Sequence, residues 1–338
     1  EEVREILAKL GYRSLDEVIG RTELLRQVSR GAEHLDDLDL NPILAKVDAP
    51  DSARRFSIPT FRNEVPDSLD AQMIHDAKPV FERREKMQLT YNVRNTHRAV
   101  GTRFSSEITR LYGMKGLSEG HVHVRLRGSA GQSLGAFLCQ GITLEVFGDA
   151  NDYVGKGLSG GTIIVRPTVS SPLTSQQNSI IGNTVLYGAT SGRLLAAGQA
   201  GERFAVRNSG AHVVVEGCGS NGLEYMTGGM AVILGKVGSN FGAGMTGGMA
   251  FVLDTEGDFA QMANPDSIVW QRLDSAYWED QLKSLITAHA QATDSAWSQS
   301  LLEDWDRRRG EFWQICPKEM LTRLSQPLSD HEVLEAAE

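Results

Sequence analysis

The stretch that decides the fold is Gly210-Ala211-His212-Val213-Val214-Val215, followed by Gly229-Met230-Ala231-Val232-Ile233-Leu234 and Gly248-Met249-Ala250-Phe251-Val252-Leu253. Each is a glycine in front of a short run rich in β-branched and other apolar residues. Moving outward toward the N-terminus, the same signature returns at Gly192, Gly161, Gly141 and Gly120. The successive spacings, from Gly120 onward, are 21, 20, 31, 18, 19 and 19 residues. The one long interval holds Arg166–Ser179, a Ser/Pro/Gln-rich insert; removing about 12 residues there restores the period.

Runs this short, in units this rich in glycine, exclude long helices, because glycine costs about 1 kcal/mol per helical position. Each unit reads as strand plus turn. A mainly β fold follows: a parallel β-helix of about seven coils of ~19 residues, stacked at about 4.8 Å into a rod of roughly 30 Å. The seven glycines would serve its corners, where φ is positive or coils approach closely. The open ends of such a stack need covers, and the helical stretches before 100 and after 255 are the candidates.

In the first flank, Val3, Ile6, Leu7 and Leu10 follow a helical period that Gly11 ends. Ser14-Leu15-Asp16-Glu17 has the pattern of a capping box. Residues 36–68, with Pro42, Pro50, Pro59 and Pro66, read as an extended connector. A helix is expected over 69–86, broken by Pro79, and a strand near 90–100. In the second flank, Tyr277, Leu282, Leu285 and Ile286 share a helical face. Thr293-Asp294 restarts a helix that carries Trp297, Leu301, Leu302 and Trp305, and Pro317 opens a last one. The expected segments are thus 1–89 (helical and extended connector), 90–256 (glycine-phased coils) and 257–338 (helical segment).

Composition agrees with a soluble, self-supporting protein: 338 residues, 41% hydrophobic and 23% charged. The formal net charge of −9 argues against a nucleic-acid binder. Cys139, Cys218 and Cys316 are odd in number and widely spaced, so neither a disulfide framework nor a zinc ribbon is expected, and a reducing compartment is. No run of 18 apolar residues spans a membrane. The start, Glu1-Glu2-Val3-Arg4, lacks Met and reads as a cut from a longer chain.

Three stretches match GxGxxG: Gly155-Lys156-Gly157-Leu158-Ser159-Gly160, Gly217-Cys218-Gly219-Ser220-Asn221-Gly222, and Gly242-Ala243-Gly244-Met245-Thr246-Gly247. A dinucleotide fingerprint needs a helix after the glycines to face the pyrophosphate. Here a strand follows, so turn glycines are the better reading. His121 and His123 could be half a metal site, but no nearby carboxylate or thiol completes it, and a solvated face opposite Val122-Val124-Leu126 is expected. His212 receives no role. Asp149 and Asp152 read as turn caps, Glu216 as a turn neighbour, Cys139 and Cys218 as small core residues, and 166–179 as a disordered loop or a docking loop. No Ser–His–Asp or Cys–His set follows from spacing.

Longer motifs carry a resemblance. Gly128-Ser129-Ala130-Gly131-Gln132-Ser133, Gly148–Gly157, Gly182–Thr190, Ala200–Gly210 and Glu224-Tyr225-Met226-Thr227-Gly228-Gly229 resemble the C-terminal glycine-repeat (GXGXG) domain of the glutamate synthase large subunit. Outside the repeats, Arg94–Thr102 is similar to the family's approach to its first coil. Leu7–Leu25 is similar to its exit from a flavin-binding barrel, and His289, Thr293, Trp305 and Pro317-Lys318 to its closing helices. The resemblance implies a right-handed β-helix in an enzyme that converts glutamine and 2-oxoglutarate to two glutamates in ammonia assimilation. It implies FMN and a 3Fe-4S cluster elsewhere in that enzyme, and here no catalytic, cofactor-binding or metal residue. The implied partners are the amidotransferase and FMN-barrel domains of the same chain, with a small FAD/NADPH-binding subunit as a further one; nucleic acid and membrane are not among them. The implied location is cytoplasmic, or plastid in a photosynthetic eukaryote. The implied role is a brace, and the fragment alone is expected to be inactive. The alternative is a free-standing β-solenoid scaffold of another oxidoreductase, like a formylmethanofuran dehydrogenase subunit, which should lack the flanks at 1–100 and 255–325.

Overall fold

A computed structural model describes residues 1–46, 48, 50, 52–53 and 67–330, in two compact units, Glu1–Pro66 and Asp67–Glu338. In the first unit, α1 (Glu2–Leu10) ends at Gly11 with φ 81°. Short helices α2 (Glu33–Asp36) and α3 (Asn41–Leu44) follow. The capping box at Ser14 does not close. Ser14 precedes a 3-10 turn without a side-chain cap, because Glu17 reaches one residue further back and accepts from the Arg13 N–H at 3.0 Å. Pro59 and Pro66 lie outside the described residues.

The second unit opens with α4 (Leu69–Asp76) and α5 (Lys78–Arg83), parted before Pro79. Then come β1 (Met87–Val93) and α6 (Thr102–Tyr112). The strand lies earlier than 90–100, and α6 is a helix that the repeat reading passed over. Its apolar face buries Phe104 and Ile108. The N-cap position Gly101 brings no side chain, and the cap comes instead from α4. Buried Asp70 accepts from the N–H groups of Gly101 at 2.8 Å and Phe104 at 3.0 Å. Burial pushes the Asp70 carboxyl above its usual range, and these backbone donors pull the other way.

Strands β2 (Val122–Ala130), β3 (Ile142–Ala150), β4 (Ser159–Arg166), β5 (Ser179–Ile181), β6 (Ser191–Ala196), β7 (Gln199–Ala200), β8 (Ser209–Val215), β9 (Thr227–Ile233) and β10 (Gly247–Leu253) carry the repeats. The main ladder runs β1-β2-β3-β4-β6-β8-β9-β10, every neighbour parallel. Short β5 and β7 pair in a second row. Strands β11 (Ile268–Arg272) and β12 (Phe312–Pro317) complete a twelve-stranded, mostly parallel sheet and pair antiparallel on the exposed edge of β10. The tail read as helical therefore contains two strands as well as α7 (Phe259–Met262), α8 (Ala276–Thr293), α9 (Ala296–Glu303) and α10 (Trp305–Arg308). Pro317 ends β12 and is followed by only a 3-10 turn. Thr293 and Asp294 end α8, Asp294 with φ 51°, and Ser295 is the cap of α9.

Side chains alternate across each strand. Inward stand the rows Val124–Leu144–Ile163–Leu194–Val213–Ala231–Ala250 and Leu126–Val146–Val165–Ala196–Val215–Ile233–Val252, all in one buried core. Met73 and Val80 from α4 and α5, with Phe104 and Ile108, join that core at the β1 end, and Phe241, Phe259 and Ile268 near β10. An outward row changes character along the stack: Arg125, Glu145, Ile164, Leu195, Val214, Val232, Phe251. Its apolar members from Leu195 on pack with Trp278, Leu282, Ile286, Leu301 and Trp305 of the C-terminal helices as a second core.

The turns obey a rule of their own. In six successive repeats, residues i, i+2 and i+4 all have positive φ: 133/135/137, 153/155/157, 184/186/188, 203/205/207, 221/223/225 and 240/242/244. Six of those eighteen positions are glycine; Thr184, Leu186 and Arg203 are among the rest. Their N–H groups bond between repeats in alternating directions. The first member donates forward (Ser133 to Asp152 C=O, Tyr153 to Asn183, Thr184 to Glu202, Arg203 to Ser220, Asn221 to Ser239). The second donates backward (Gly155 to Leu134, Leu186 to Val154, Leu223 to Phe204), and the third forward again (Phe137 to Lys156, Arg207 to Glu224, Tyr225 to Ala243).

Candidate functional site

The GxGxxG stretches lie in these turns. Gly155, Gly157, Gly242 and Gly244 are members of the positive-φ triplets, and strands β4 and β10 follow at once. A Cβ on Gly157 would lie 2.5 Å from the Phe137 ring, and one on Gly244 would lie 2.4 Å from the Tyr225 ring. Those glycines are seats for an aromatic side chain of the preceding repeat. With the seats filled and no helix N-terminus behind them, the loops do not fit a flavin or nicotinamide pyrophosphate.

Five of the seven phased glycines fall just inside strand starts, and Gly120 and Gly141 fall two residues and one residue before β2 and β3. Gly210 is crowded: a Cβ there would lie 2.1 Å from the Thr190 carbonyl oxygen of the preceding repeat. Gly192 needs its φ of 101°. The register slips by one residue between Ser209–His212 and Gly228–Met230, so Gly228, beside the phased Gly229, makes the equivalent approach to Ser209 at 2.2 Å.

Asp149 and Asp152 do not cap their own turns. Asp152 Oδ1 accepts the Asn183 N–H of the next repeat at 2.8 Å, and Asp149 Oδ2 accepts from Ser129 Oγ of the previous one at 3.0 Å. Asn183 continues the device by accepting from the Glu202 N–H, and Asn221, Asn240 and Asn264 bond side chain to side chain. These polar residues tie repeat to repeat.

His121 departs from the solvated face expected of it, while His123 stays half-exposed there beside Arg125 and Arg127. His121 is buried beside Ser118, and its Nε2 has no partner. His123 meets a carboxylate after all: Glu145, one strand over, sits 2.9 Å from its Nε2 and accepts Arg125 Nε at 3.2 Å on the same oxygen. Among the described residues, no three His, Cys, Asp or Glu side chains gather as a metal site. His212 stands on the outward face beside Arg193; burial and that positive neighbour hold its imidazole below the usual range.

The most enclosed polar cluster was not foreseen. Glu216, at the end of β8, is 1% exposed and meets His289 of α8 at 3.3 Å and the Ser295 hydroxyl through the same Oε1. Ser295 Oγ also accepts the Ser298 N–H and so caps α9. Glu216 Oε2 and His289 Nδ1 are buried without partners. The hydroxyl donates to the carboxylate, not to the imidazole, so no proton path activates it as a nucleophile. The cluster latches two helices onto the strand. Its members stand 73 and 79 residues apart from Glu216, and no local spacing announces them. His289 entered the sequence reading only through the family-like tail.

Cys139, Cys218 and Cys316 are free and buried. Burial pushes all three thiols up, Cys218 to about 12 and Cys316 to about 11. A cluster takes gathered thiolates; among the described residues these cysteines meet no further His, Cys, Asp or Glu in a group of three, so they do not fit a 3Fe-4S centre. The insert 166–179 is anchored at both ends. Arg166 pairs with Asp294, and Gln199 Nε2 donates to Gln176 C=O at 2.8 Å. Between the anchors, Val169 is 87% exposed. Among the described residues, no helix is long and apolar enough to cross a membrane.

Fold and clusters together define a stacked-repeat scaffold whose polar groups serve cohesion between repeats. The chain belongs to the GXGXG motif family, whose profile matches residues 70–318. It is similar to the glutamate synthase [NADPH] large chain of Azospirillum brasilense, 66% identical over 97% of this chain and 22% of that one. It is similar to ferredoxin-dependent glutamate synthase 2 of Synechocystis, 45% identical over 94% of this chain and 20% of the relative. With glutamate synthase [NADH] of Schizosaccharomyces pombe the figures are 40%, 98% and 16%. The chain thus spans about a fifth of the curated relatives it matches.

Proposed function

We propose that the chain is a structural domain of a glutamate synthase large chain. The enzyme makes two glutamates from glutamine, 2-oxoglutarate and a reductant, and this domain braces its amidotransferase and FMN-barrel domains from within the same polypeptide. One observation carries the reading: 66% identity to a glutamate synthase large chain runs through 97% of this sequence, flanks included, where a free-standing solenoid scaffold should have none. The polar clusters support a bracing role, since each is consumed in holding repeats or helices together. FMN and the 3Fe-4S cluster then belong to other parts of the enzyme, in the cytoplasm. Three relatives whose names carry NADPH, ferredoxin and NADH share this stretch, so its residues do not choose the reductant.

The architecture within this reading is a right-handed parallel β-helix. Support comes from three sets of bonds between the same successive repeats: the main strand ladder, the short row through Ala150, Ile181, Ala200 and Cys218, and the positive-φ turns. Three stacked faces per repeat are what a closed coil needs. The division at 1–89, 90–256 and 257–338 stands with it as connector, coils and closing segment.

Two assays test the role. The isolated 338 residues should form no glutamate from glutamine and 2-oxoglutarate; turnover by the fragment would end the reading. In the full-length enzyme, Gly228→Ala should lower glutamine-dependent synthesis more than synthesis from free ammonia, because a loosened brace uncouples the two reactions. Equal losses argue against bracing.

A further inference from the structure

Among the described residues, the five aromatic side chains most open to solvent are Phe137, Tyr153, Tyr187, Tyr225 and Tyr277, and four of them stand along one corner of the repeat stack. They occupy four of five successive turns, the turn at 203–207 presenting Arg203 and Arg207 instead: Phe137 at 55% exposure, Tyr153 at 38%, Tyr187 at 36% and Tyr225 at 49%. Over the four repeat steps from Phe137 to Tyr225 the row runs about 19 Å. The rings are not loose. Phe137 and Tyr225 lie on the bare backbone of Gly157 and Gly244, and three of the four residues have their backbone fixed at positive φ by bonds to the next repeat. Cations stand among them, with Lys156 Nζ 5.9 Å from the Tyr153 ring centre and Arg207 Cζ 5.9 Å from that of Tyr225.

Rigid aromatics with interleaved arginine form the composition of interface hot spots, and a preset geometry lowers the entropy lost on docking. Nothing in the coil requires the exposure: the inward rows already fill the core. We propose that this corner is the docking face for another segment of the same longer polypeptide, one that presents carboxylates and apolar side chains to it. The inference rests on the reading that the chain is part of a larger enzyme. About four-fifths of the length of its relatives lies outside these residues, which makes an intramolecular occupant available at high effective concentration. The basic side chains of the row, in a chain of net charge −9, select an acidic occupant.

The test uses the full-length polypeptide. Hydroxyl-radical footprinting reads the four rings against Tyr277 of α8, 43% exposed. Oxidation several-fold slower than at Tyr277 is expected; equal rates overturn the proposal. Carbodiimide coupling, mapped by mass spectrometry, then reads the occupant. Lys156 should join an Asp or Glu of the same polypeptide outside the 338 residues. Coupling only within those residues, into a second copy (detected by mixing isotopically light and heavy protein), into another protein, or to nothing overturns it. Neither arm measures glutamate formation, so failure here leaves the bracing reading standing, and turnover by the isolated fragment would sink that reading without touching this one.

Discussion

Thr184 sits at φ 56°, a conformation that a β-branched residue adopts at a cost of about 1–2 kcal/mol. Glycine there removes the strain, and its extra unfolded-chain entropy offsets about 0.5–1 kcal/mol. Thr184→Gly should therefore raise stability by about 0.5–1 kcal/mol, visible as a melting temperature a degree or two higher by calorimetry; a drop would mean that Thr184 holds more than its strain costs. Gly228→Ala goes the other way. The added Cβ meets the Ser209 carbonyl oxygen at 2.2 Å, backbone that cannot swing aside, so a loss of about 3 kcal/mol is expected in denaturant unfolding. The same contrast explains what was legible residue by residue. Phased glycines revealed the period, because close approach between strands admits no side chain. The positive-φ triplets stayed hidden, because residues other than glycine (leucine, arginine, threonine and tyrosine among them) hold twelve of the eighteen positions and hydrogen bonds to the neighbouring repeats impose the angle.

At the level of elements, pattern succeeded where burial is one-sided and failed where tertiary contacts decide. Pro79 marked the α4–α5 break. Helix α6 went unread although its stripe is strongly amphipathic, since its cap is not local: Asp70 arrives from 31 residues away. Asp70→Ala leaves two buried N–H groups without their acceptor and should cost about 1–3 kcal/mol, with hydrogen exchange accelerated first in the opening turn of α6. Strands β11 and β12 were missed because their aromatic-rich stretches lie among helical periods, and only the open edge of β10 makes strands of them. Asp254, just past β10, fixes that junction. Burial would raise its carboxyl, but the Trp313 indole and the N–H groups of Gly257, Phe259 and Asp258 together hold it below the usual carboxylate range. A depressed folded value means the unfolded chain takes up the proton more readily, so the stabilisation is present above the unfolded pKa and lost as pH falls through the folded one. The stability gap between the protein and Asp254→Asn should be widest above about pH 5 and close below about pH 4. A gap that is constant with pH would exclude the charge as its cause.

Across the whole second unit, the outward face of the sheet records in its sequence where the C-terminal helices lie. The first coil alternates, His121-Val122-His123-Val124-Arg125-Leu126-Arg127, as a strand with one wet face does. The later runs, Val213-Val214-Val215 and Ala250-Phe251-Val252-Leu253, are apolar without a break, as strands buried on both faces are. The switch falls near Leu195, where the second core begins. Sequence alone shows that something covers those strands; the structure supplies α8, α9 and α10, latched by Glu216, His289 and Ser295. That cover buries Trp278, Leu282, Ile286, Leu301 and Trp305, a stabilisation on the order of 10 kcal/mol at ~2 kcal/mol per large side chain. A chain ended at residue 254 also loses β12, so β10 becomes an open, flat, apolar edge. It should bind 1-anilinonaphthalene-8-sulfonate strongly and self-associate in light scattering, while a chain begun at residue 67 and kept to its end should do neither. If the truncated chain stayed monomeric and silent to the dye, the helices would be an attachment, and the repeat stack would be closed without them.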